Sequence, residues 1–380
     1  MDFKLSKSQE LQRNLFAKFA ETEISPLARD MDEAEVYSPE LLQKMQALGF
    51  FGIPYPAALG GGGADTLTYT LCMEEVSKVD ASTGITLSVH TSLCCACIND
   101  YGTPDQKEKF LRPLIDGSKI GCFSLTEPNA GSDAGSIGTS AVLDGDEYVL
   151  TGSKVFTTNS GFADTFIVFA VTDKALGQDG ISAFILEKDM PGLAVSPNIP
   201  RMGIRASSNC EVSYDNVRVP VANRLRKEGS GFEIAMHALD GGRIGIGAQA
   251  VGIAQGAINE TIKYTKERKQ FGRPINAFQN TRFQLADMQT KVDAARLMVW
   301  RAAAMKDNGE EYSSAAAMCK LFASDVANEV TRGCVQLFGG YGYTREYPVE
   351  RMMRDAKITE IYEGTSEVMK MVIYSELKVK

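Results

Sequence analysis

The sequence changes its hydrophobic periodicity twice, and this change restricts the folds that the chain can adopt. Apolar residues recur at helical spacing up to about residue 120, fall into short β-type runs between about 121 and 225, and return to helical spacing afterwards. A length of 380 residues is enough for two or three domains. We therefore predict an α+β protein with a helical domain over residues 1–120, a β domain over 121–225 and a second helical domain over 226–380.

The first zone carries signals for the beginnings and ends of helices. Ser6 and Gln9 match a capping box, in which each side chain bonds to the backbone of the other residue. Pro26 is expected to end or kink the first helix, and residues 38–39 (SP) are typical of the start of another. Further helices are predicted around residues 73–79, 82–99 and 105–114.

The middle zone contains short runs rich in β-branched and aromatic residues, separated by Gly, Asp, Asn and Pro. The runs lie at residues 148–150, 165–171, 181–186 and 210–219. This spacing is typical of an antiparallel barrel or sandwich. Because no long helix alternates with the runs, we do not expect a parallel, doubly wound sheet.

The third zone is rich in Ala, with long helical patterns over residues 283–305 and 313–337. Residues 245–250 (GIGAQA) fit the dinucleotide-binding pattern G-x-G-x-x-A, which functions only as a turn between a strand and a helix. Here no strand precedes the pattern and helical periodicity continues through it. We interpret these glycines as helix-packing positions and do not expect a nicotinamide cofactor.

The charge balance argues against two classes of partner. The 40 basic and 48 acidic side chains give a net charge of −8, and no basic cluster suggests nucleic-acid binding. No run approaches the roughly 18 apolar residues of a membrane span, so none is expected. Residues 1–5 (MDFKL) show no signal or transit pattern. We therefore expect a bacterial cytoplasmic protein, with a processed organellar form as the alternative.

The cysteines predict buried thiols and no metal site. Cys94, Cys95 and Cys97 lie close together, but their spacing is not that of paired C-x-x-C zinc ligands, and His90 and His237 are the two histidines of the sequence. Free Cys is among the most buried residue types. A chain of this size needs no disulfides, which fits a reducing compartment.

Five tracts together identify the chain as similar to a known family. They are residues 125–133 (LTEPNAGSD), 152–159 (GSKVFTTN), 268–274 (RKQFGRP), 336–342 (QLFGGYG) and 361–367 (IYEGTSE). In this order, they resemble the acyl-CoA dehydrogenase family along nearly the whole chain. The resemblance implies an N-terminal helical domain, a middle antiparallel β-barrel-like domain and a C-terminal four-helix bundle, in agreement with the three zones.

Glu363 is the candidate catalytic base. Taken alone, it is a carboxylate beside Gly364 ahead of a helix, and this segment by itself favours a solvated loop residue. By the resemblance, it aligns with the family's base, which removes a proton from Cα of a thioester while a hydride leaves Cβ. A carboxylate shielded from water by substrate has a raised pKa and is a stronger base. Gly364 permits backbone angles that other residues resist.

Gly242 indicates which branch of the family the chain resembles. One subfamily carries its base on the helix that here contains residues 240–243 (DGGR), and the aligned position is Gly242, which cannot act as a base. The chain therefore resembles the branch with the base at Glu363, which includes the short- and medium-chain enzymes. Residues 239–245 (LDGGRIG) look particularly like the short-chain group.

The resemblance implies FAD as the hydride acceptor. Residues 123–132 and 156–158 would wall the isoalloxazine ring, with Thr158 forming a hydrogen bond near the flavin N5. The residues proposed from these tracts are Phe123, Leu125, Thr126, Ser132, Phe156, Thr157 and Thr158. The family often has Trp at the position of Phe156.

The resemblance also implies contacts to the rest of FAD, some of them to the FAD of a neighbouring subunit. Arg268 is the candidate cation for the pyrophosphate, since a guanidinium matches phosphate oxygens; alone, it reads as a solvated charge at a helix end. The further residues are Phe271, Gln279, Gln336, Leu337, Phe338, Gly339, Gly340, Thr365, Ser366 and Glu367. A site shared in this way predicts a homotetramer built as a dimer of dimers.

The implied acyl-CoA contacts lie on the same elements. They are Ser132, Asp240, Gly241, Gly242, Arg243 and Gly364. Asp240 and Arg243 are three residues apart on a predicted helix, so an intrahelical ion pair is an open alternative for Arg243. The thioester carbonyl is expected to accept a hydrogen bond from the backbone N–H of Glu363, which would stabilise the enolate that forms.

The leading hypothesis is an FAD-dependent short-chain acyl-CoA dehydrogenase of the butyryl-CoA type. The family's partner is an electron-transferring flavoprotein, and the direction of the reaction stays open. The alternatives are a dehydrogenase for glutaryl-CoA or branched acyl-CoA, an acyl-CoA oxidase, and a flavin-binding subunit without catalytic activity.

Overall fold

The computed structural model describes residues 4–377. The expectation that residues 1–5 carry no signal or transit pattern concerns residues of which the first three lie outside the described part of the chain. The N-terminal region is helical, as predicted. Its helices are α1 (Lys7–Phe19), α2 (Ser25–Ala34), α3 (Pro39–Ala47), α4 (Thr66–Ser77), α5 (Ala81–Ser88), α6 (Ala96–Tyr101), α7 (Pro104–Gln106) and α8 (Arg112–Ile115).

The predicted helix starts are present. Ser6 and Gln9 form the capping box of α1, and Ser38 caps α3 with Pro39 in its first turn. A π-helical turn over Ala20–Ile24 joins α1 to α2, and Pro26 lies in the first turn of α2. Because proline lacks an N–H donor, it disturbs the regular ladder, so the helical path is interrupted here rather than ended.

One helical segment corrects the expectation that no stretch is long and apolar enough to span a membrane. Ala81–Tyr101 passes that test of length and composition, and its most apolar window is entirely buried inside the protein. It comprises α5, a π-helical turn over Val89–Cys95 and α6. A buried core helix meets the same criteria as a membrane span, and this segment lies at the centre of the N-terminal domain.

The middle region is a predominantly antiparallel sheet. Its strands are β1 (Gly121–Ser124), β2 (Ser140–Asp144), β3 (Glu147–Thr158), β4 (Thr165–Val171), β5 (Ile181–Glu187), β6 (Leu193–Val195), β7 (Asn209–Pro220) and β8 (Arg224–Leu225). The strand order is β6-β7-β3-β2-β4-β5-β8, and β1 pairs with β4. The β1–β4 pairing is parallel, as is one residue pair between β2 and β4. The antiparallel prediction therefore holds for most of the sheet.

The C-terminal region is helical. It contains α9 (Gly231–Glu267), a short hairpin of β9 (Lys269–Gln270) and β10 (Arg273–Pro274), then α10 (Gln279–Asp307), α11 (Ser313–Phe338), α12 (Val349–Ile358) and α13 (Ser366–Glu376). Helices α9, α10 and α11 pack together with the shorter α12 as the fourth member of the bundle. The three domain limits given above remain predictions.

The glycine-rich stretch of α9 is helical throughout, as interpreted from the sequence. Later in the same helix, a Cβ at Gly252 would meet the backbone of Glu74 in α4, and a Cβ at Gly256 would meet that of Lys78. These glycines therefore let α9 and α4 approach closely.

All eight cysteines are buried free thiols, as predicted. Burial raises the pKa of the Cys94 and Cys95 thiols above the usual range. His90 is buried with its Nε2 3.4 Å from Sγ of Cys95, and burial lowers its pKa to about 4. Within residues 4–377, no three His, Cys, Asp or Glu side chains are grouped so that they could hold a metal ion.

Candidate active site

Glu363 lies in the loop between α12 and α13, in a conformation that buries its carboxylate. Its φ is 52°, and that of the following Gly364 is 96°. Both carboxylate oxygens are buried and have no hydrogen-bond partner among the described residues. Burial raises the pKa of the Glu363 carboxyl to about 8, while Lys320 and Arg243 oppose that rise. A buried, unpartnered carboxylate with a raised pKa has the properties of a general base awaiting a ligand.

Helix α9 forms one wall directly against this carboxylate. A Cβ built on Gly242 would lie 2.9 Å from Cδ of Glu363 and would overlap Oε2. The next residue, Arg243, is buried and forms an ion pair of 2.5 Å with Asp240. The intrahelical pair considered from the sequence is therefore present. The same guanidinium also acts electrostatically on Glu363, and its contact with acyl-CoA stays a prediction.

Two part-buried polar contacts hold the loop on either side of Glu363. The hydroxyl of Tyr362 donates to Gln249, whose amide donates to the carbonyl of Ala81 at 2.8 Å. On the other side, the carbonyl of Gly364 accepts a hydrogen bond of 2.6 Å from Nζ of Lys320. Neither Gln249 nor Lys320 was identified from the sequence. The available signal was a lone Lys on the small-residue face of α11.

The buried segment Ala81–Tyr101 connects this site to the β domain. Leu93 lies close to Gly242, with its Cδ2 3.0 Å from a Cβ built there. Earlier in the segment, the carbonyl of Thr86 accepts a 2.9 Å hydrogen bond from the side chain of Asn159, directly after β3. The segment therefore contacts both the wall beside Glu363 and the end of the strand that carries Thr158.

The end of β3 presents an aromatic face and a hydroxyl donor. Phe156 is 59% exposed and has a φ of 57°. The amide Nδ2 of Asn209 donates to the carbonyl of Phe156 at 3.3 Å and to Oγ1 of Thr158 at 3.0 Å. A carbonyl can only accept, so this amide orientation makes Thr158 an acceptor from Asn209. The hydroxyl of Thr158 donates to none of the described residues, so it is free to donate to a ligand.

The other residues proposed for the flavin ring lie beside this strand end. Phe123 in β1 packs on Phe169, with ring centroids 4.9 Å apart. The carbonyl of Leu125 accepts from Nζ of Lys154 at 2.9 Å, and Oγ1 of Thr157 contacts Oγ of Ser124 at 3.2 Å. The carbonyl of Thr126 accepts from Val155 N at 2.9 Å, and Ser132 is exposed.

A second group of proposed FAD residues lies at the end of the helical bundle. The guanidinium of Arg268 lies over the ring of Tyr341 at 5.5 Å, and Phe271 is 94% exposed. The ring of Phe338 is buried and stacks on Tyr264 at 4.1 Å. Exposed positions in the same group are Gln279, Gln336, Gly339 and Gly340, with Leu337 half-buried.

Within residues 4–377, no hydrogen bond, ion pair or ring contact joins this second group to Glu363 or Thr158. Thr365 caps α13 by accepting from the backbone N–H of Val368 at 3.3 Å. Ser366 has a buried hydroxyl without a partner, and Glu367 is exposed. The segment Ala81–Tyr101 links the wall of α9 beside Glu363 to the end of β3, whereas no contact of these kinds links the Arg268 group to Glu363 or Thr158 within residues 4–377.

The available donors fit FAD. An exposed aromatic face at Phe156 and the free hydroxyl of Thr158 suit a flat ring with nitrogen acceptors. Arg268 forms no ion pair with any described residue, so its charge is available to a pyrophosphate. The exposed ring of Phe271 lies on the same hairpin.

Comparison with known proteins assigns all three regions. Residues 6–118, 122–217 and 229–378 match the N-terminal, middle and C-terminal domains of acyl-CoA dehydrogenases. The short-chain specific acyl-CoA dehydrogenase of Clostridium acetobutylicum is 54% identical over 377 residues, covering 99% of this chain and 100% of that protein.

Solved structures agree in fold over their full lengths. Butyryl-CoA dehydrogenase from Megasphaera elsdenii superposes with a TM-score of 0.98 at 48% identity, covering 99% of this chain and 100% of that one. A chain solved in work on the electron transferring flavoprotein of Acidaminococcus fermentans, directed at flavin-based electron bifurcation, gives 0.99 at 52% identity, covering 100% of both. The chain therefore belongs to the acyl-CoA dehydrogenase family.

Proposed function

We propose that this protein is an FAD-dependent dehydrogenase of short-chain acyl-CoA thioesters, converting butyryl-CoA to crotonyl-CoA or catalysing the reverse reaction. The observation that carries the proposal is the carboxylate of Glu363, which is buried, lacks any partner among the described residues and lies against Gly242. Its raised pKa suits removal of a weakly acidic Cα proton.

Glu363 supplies two groups to the thioester. Its carboxylate takes the proton from Cα, and its backbone N–H, which donates to no acceptor in residues 4–377, is available to the thioester carbonyl. A hydrogen bond to that oxygen stabilises the negative charge that develops as the proton leaves.

FAD, when bound, accepts the hydride that leaves Cβ. Phe123, Leu125, Thr126, Ser132, Phe156, Thr157 and Thr158 would surround its ring, with the hydroxyl of Thr158 oriented by Asn209 to donate. Arg268, Phe271, Gln279, residues 336–340 and Thr365, Ser366 and Glu367 would hold its remaining parts. Because the Arg268 group lies apart from Glu363 within one chain, we assign some of it to the FAD of a neighbouring subunit in a homotetramer.

The CoA thioester would contact Ser132, the residues of α9 from Asp240 to Arg243, and Gly364. Electrons would leave through an electron-transferring flavoprotein, consistent with the similarity to the chain solved in work on the electron transferring flavoprotein of Acidaminococcus fermentans. We place the enzyme in the bacterial cytoplasm, since the closely similar short-chain protein of Clostridium acetobutylicum is bacterial.

Anaerobic titration of the purified flavoprotein with acyl-CoAs of increasing chain length tests this function. We expect loss of flavin absorbance to be most complete at four carbons, and Glu363→Gln to retain FAD without bleaching. A preference for glutaryl-CoA or branched acyl-CoA would replace the substrate assignment, and rapid reoxidation in air would indicate an oxidase. No bleaching with any acyl-CoA would favour a flavin-binding subunit without catalytic activity.

A further inference from the structure

Lys320 is a fully buried lysine that contacts the loop carrying Glu363. It lies in the N-terminal part of α11, on the face that also carries Ala316, Ala323 and Ala327, and its exposed fraction is 0%. Burying an ammonium group is costly unless its donors are satisfied. Nζ of Lys320 donates at 2.6 Å to the carbonyl of Gly364, the residue after Glu363.

The charge of Lys320 is not neutralised by a close ion pair. No carboxylate in residues 4–377 lies within 4.0 Å of its Nζ. Charged groups acting on Lys320 come from three elements: Glu363 and Glu360 in the loop, Arg243 in α9, and Asp325 in α11 itself. Those acting on Glu363 are Lys320 and Arg243, and the neighbouring phenols are Tyr69 and Tyr362. Burial lowers the pKa of Lys320 to about 8, so its ammonium form predominates at neutral pH, and Lys320 and Arg243 are the two cations that act on the base.

We propose that Lys320 is a positioning residue for the base, holding the Gly364 carbonyl so that the Glu363 carboxylate stays against Gly242, and favouring its ionised form by charge. This inference rests on the proposed function, because it assigns a role in the same reaction.

The geometry explains why one contact has this effect. Gln249 anchors the loop at Tyr362, and Lys320 anchors it at Gly364, so Glu363 is fixed from both sides. Without the second anchor, Gly364 gains access to other backbone angles, since glycine has few steric restrictions. Losing the cation also removes a group that opposes protonation of Glu363.

Three variants separate the anchor from the charge. Lys320→Met removes both, Lys320→Gln keeps a donor without charge, and Lys320→Arg keeps the charge. Lys44→Met is the matched control, because Lys44 lies on the surface of α3 and pairs with Glu23. The measurements are FAD content, and kcat and KM with the best acyl-CoA and an artificial electron acceptor, over a pH range of about 6 to 10.

For Lys320→Met we expect a loss in kcat of roughly 10- to 100-fold at neutral pH, with KM and FAD content little changed. In the profile of kcat against pH, the acidic limb should move to higher pH by about one unit in Lys320→Met and Lys320→Gln. It should remain in place in Lys320→Arg. Lys44→Met should match the parent in every respect.

An unmoved acidic limb in both neutral variants would overturn the proposal and leave Lys320 as a packing residue only. An unchanged kcat in Lys320→Met would overturn it as well. If Lys320→Met fails to fold, the Lys320→Gln and Lys320→Arg profiles decide alone. A parent protein that oxidises no acyl-CoA would instead contradict the proposed function, so the two failures are distinguishable.

Discussion

Gly242 in α9 lies directly against the carboxylate of Glu363 in the loop before α13, and a side chain on residue 242 would occupy the space of Oε2. The two positions are therefore mutually dependent. A carboxylate can project from Glu363 into this space only while residue 242 has no Cβ. The contact gives a physical reason for the glycine in the residue 240–243 tract.

Gly242→Ala should displace the base without removing it. Because the added methyl overlaps Oε2, we expect kcat to fall by about 100-fold, as small displacements at a reacting centre can do, while FAD content is retained. Steady-state kinetics with butyryl-CoA and the flavin spectrum test this.

Gly135→Ala is the matched control for this substitution. An added Cβ there meets no atom closer than 3.5 Å, so we expect parental rates. Parental activity in Gly242→Ala would mean that Glu363 reaches the substrate from another position than the one seen here.

Glu363→Gln should stabilise the protein increasingly as pH rises. Burial raises the folded-state pKa of Glu363 to about 8, whereas the unfolded value is about 4.3. The folded state thus binds the proton more tightly, and the stability from this group is lost as pH rises between those values. Glutamine cannot ionise, so its advantage in Tm should grow from about pH 5 to about pH 8 and then level off.

Thermal unfolding of the flavin-loaded proteins across this pH range measures the difference. Glu40→Gln, at an exposed position in α3, provides a control whose Tm difference from the parent should not depend on pH. A constant difference for Glu363→Gln would show that Glu363 titrates normally in the folded protein.

The sequence allowed the order of helical and β regions to be predicted, because hydrophobic periodicity is a local signal. Glu363 was proposed by resemblance, whereas its burial could not be read from its neighbours, since it depends on α9 and α11 packing around a loop. Lys320 and Asn209 were missed for the same reason. The small residues around Lys320 on α11 indicate a packed position, but no local signal shows that a catalytic loop contacts it. Likewise, no local signal separates an asparagine that orients a hydroxyl from one in a turn.

The pairing of strands that are distant in the chain could not be predicted from the sequence either. The parallel pairing of β1 with β4 joins segments that begin at Gly121 and Thr165, and no turn chemistry links them. The burial of Ala81–Tyr101 was also invisible, because composition alone does not separate a core helix from a membrane span.

Asn209 should contribute to FAD binding through Thr158. Since its amide donates to Oγ1 of Thr158, it leaves the hydroxyl hydrogen for the flavin. Removing one such hydrogen bond costs about 1 kcal/mol, so Asn209→Ala and Thr158→Val should each weaken FAD binding roughly fivefold. The double variant should be little weaker than Thr158→Val, because both changes remove one interaction.

The FAD affinities of the parent, the two single variants and the double variant, measured on the apoproteins by flavin fluorescence, form the double-mutant cycle that tests this. Thr151→Val, at an exposed position on the same strand, should bind FAD like the parent. Fully additive losses would mean that Asn209 and Thr158 act independently.

Arg268 should act on the FAD of a neighbouring subunit, because no contact within residues 4–377 joins it to Glu363 or Thr158. Arg268→Gln and Glu363→Gln should each lose nearly all activity as pure assemblies. In a hybrid of the two, one site receives Glu363 from one subunit and Arg268 from the other, while the second site lacks both. In a symmetric pair, we therefore expect about half of the parental activity per dimer.

Co-expression of the two variants with different affinity tags, followed by tandem purification, yields the hybrids, and butyryl-CoA oxidation is the measurement. Assemblies in which both differently tagged subunits carry Glu363→Gln, prepared in the same way, control for the tags and should stay inactive. If Arg268 instead serves its own subunit, every site in the mixed assembly lacks one of the two residues. Mixing would then restore nothing, and the shared-site assignment would be wrong.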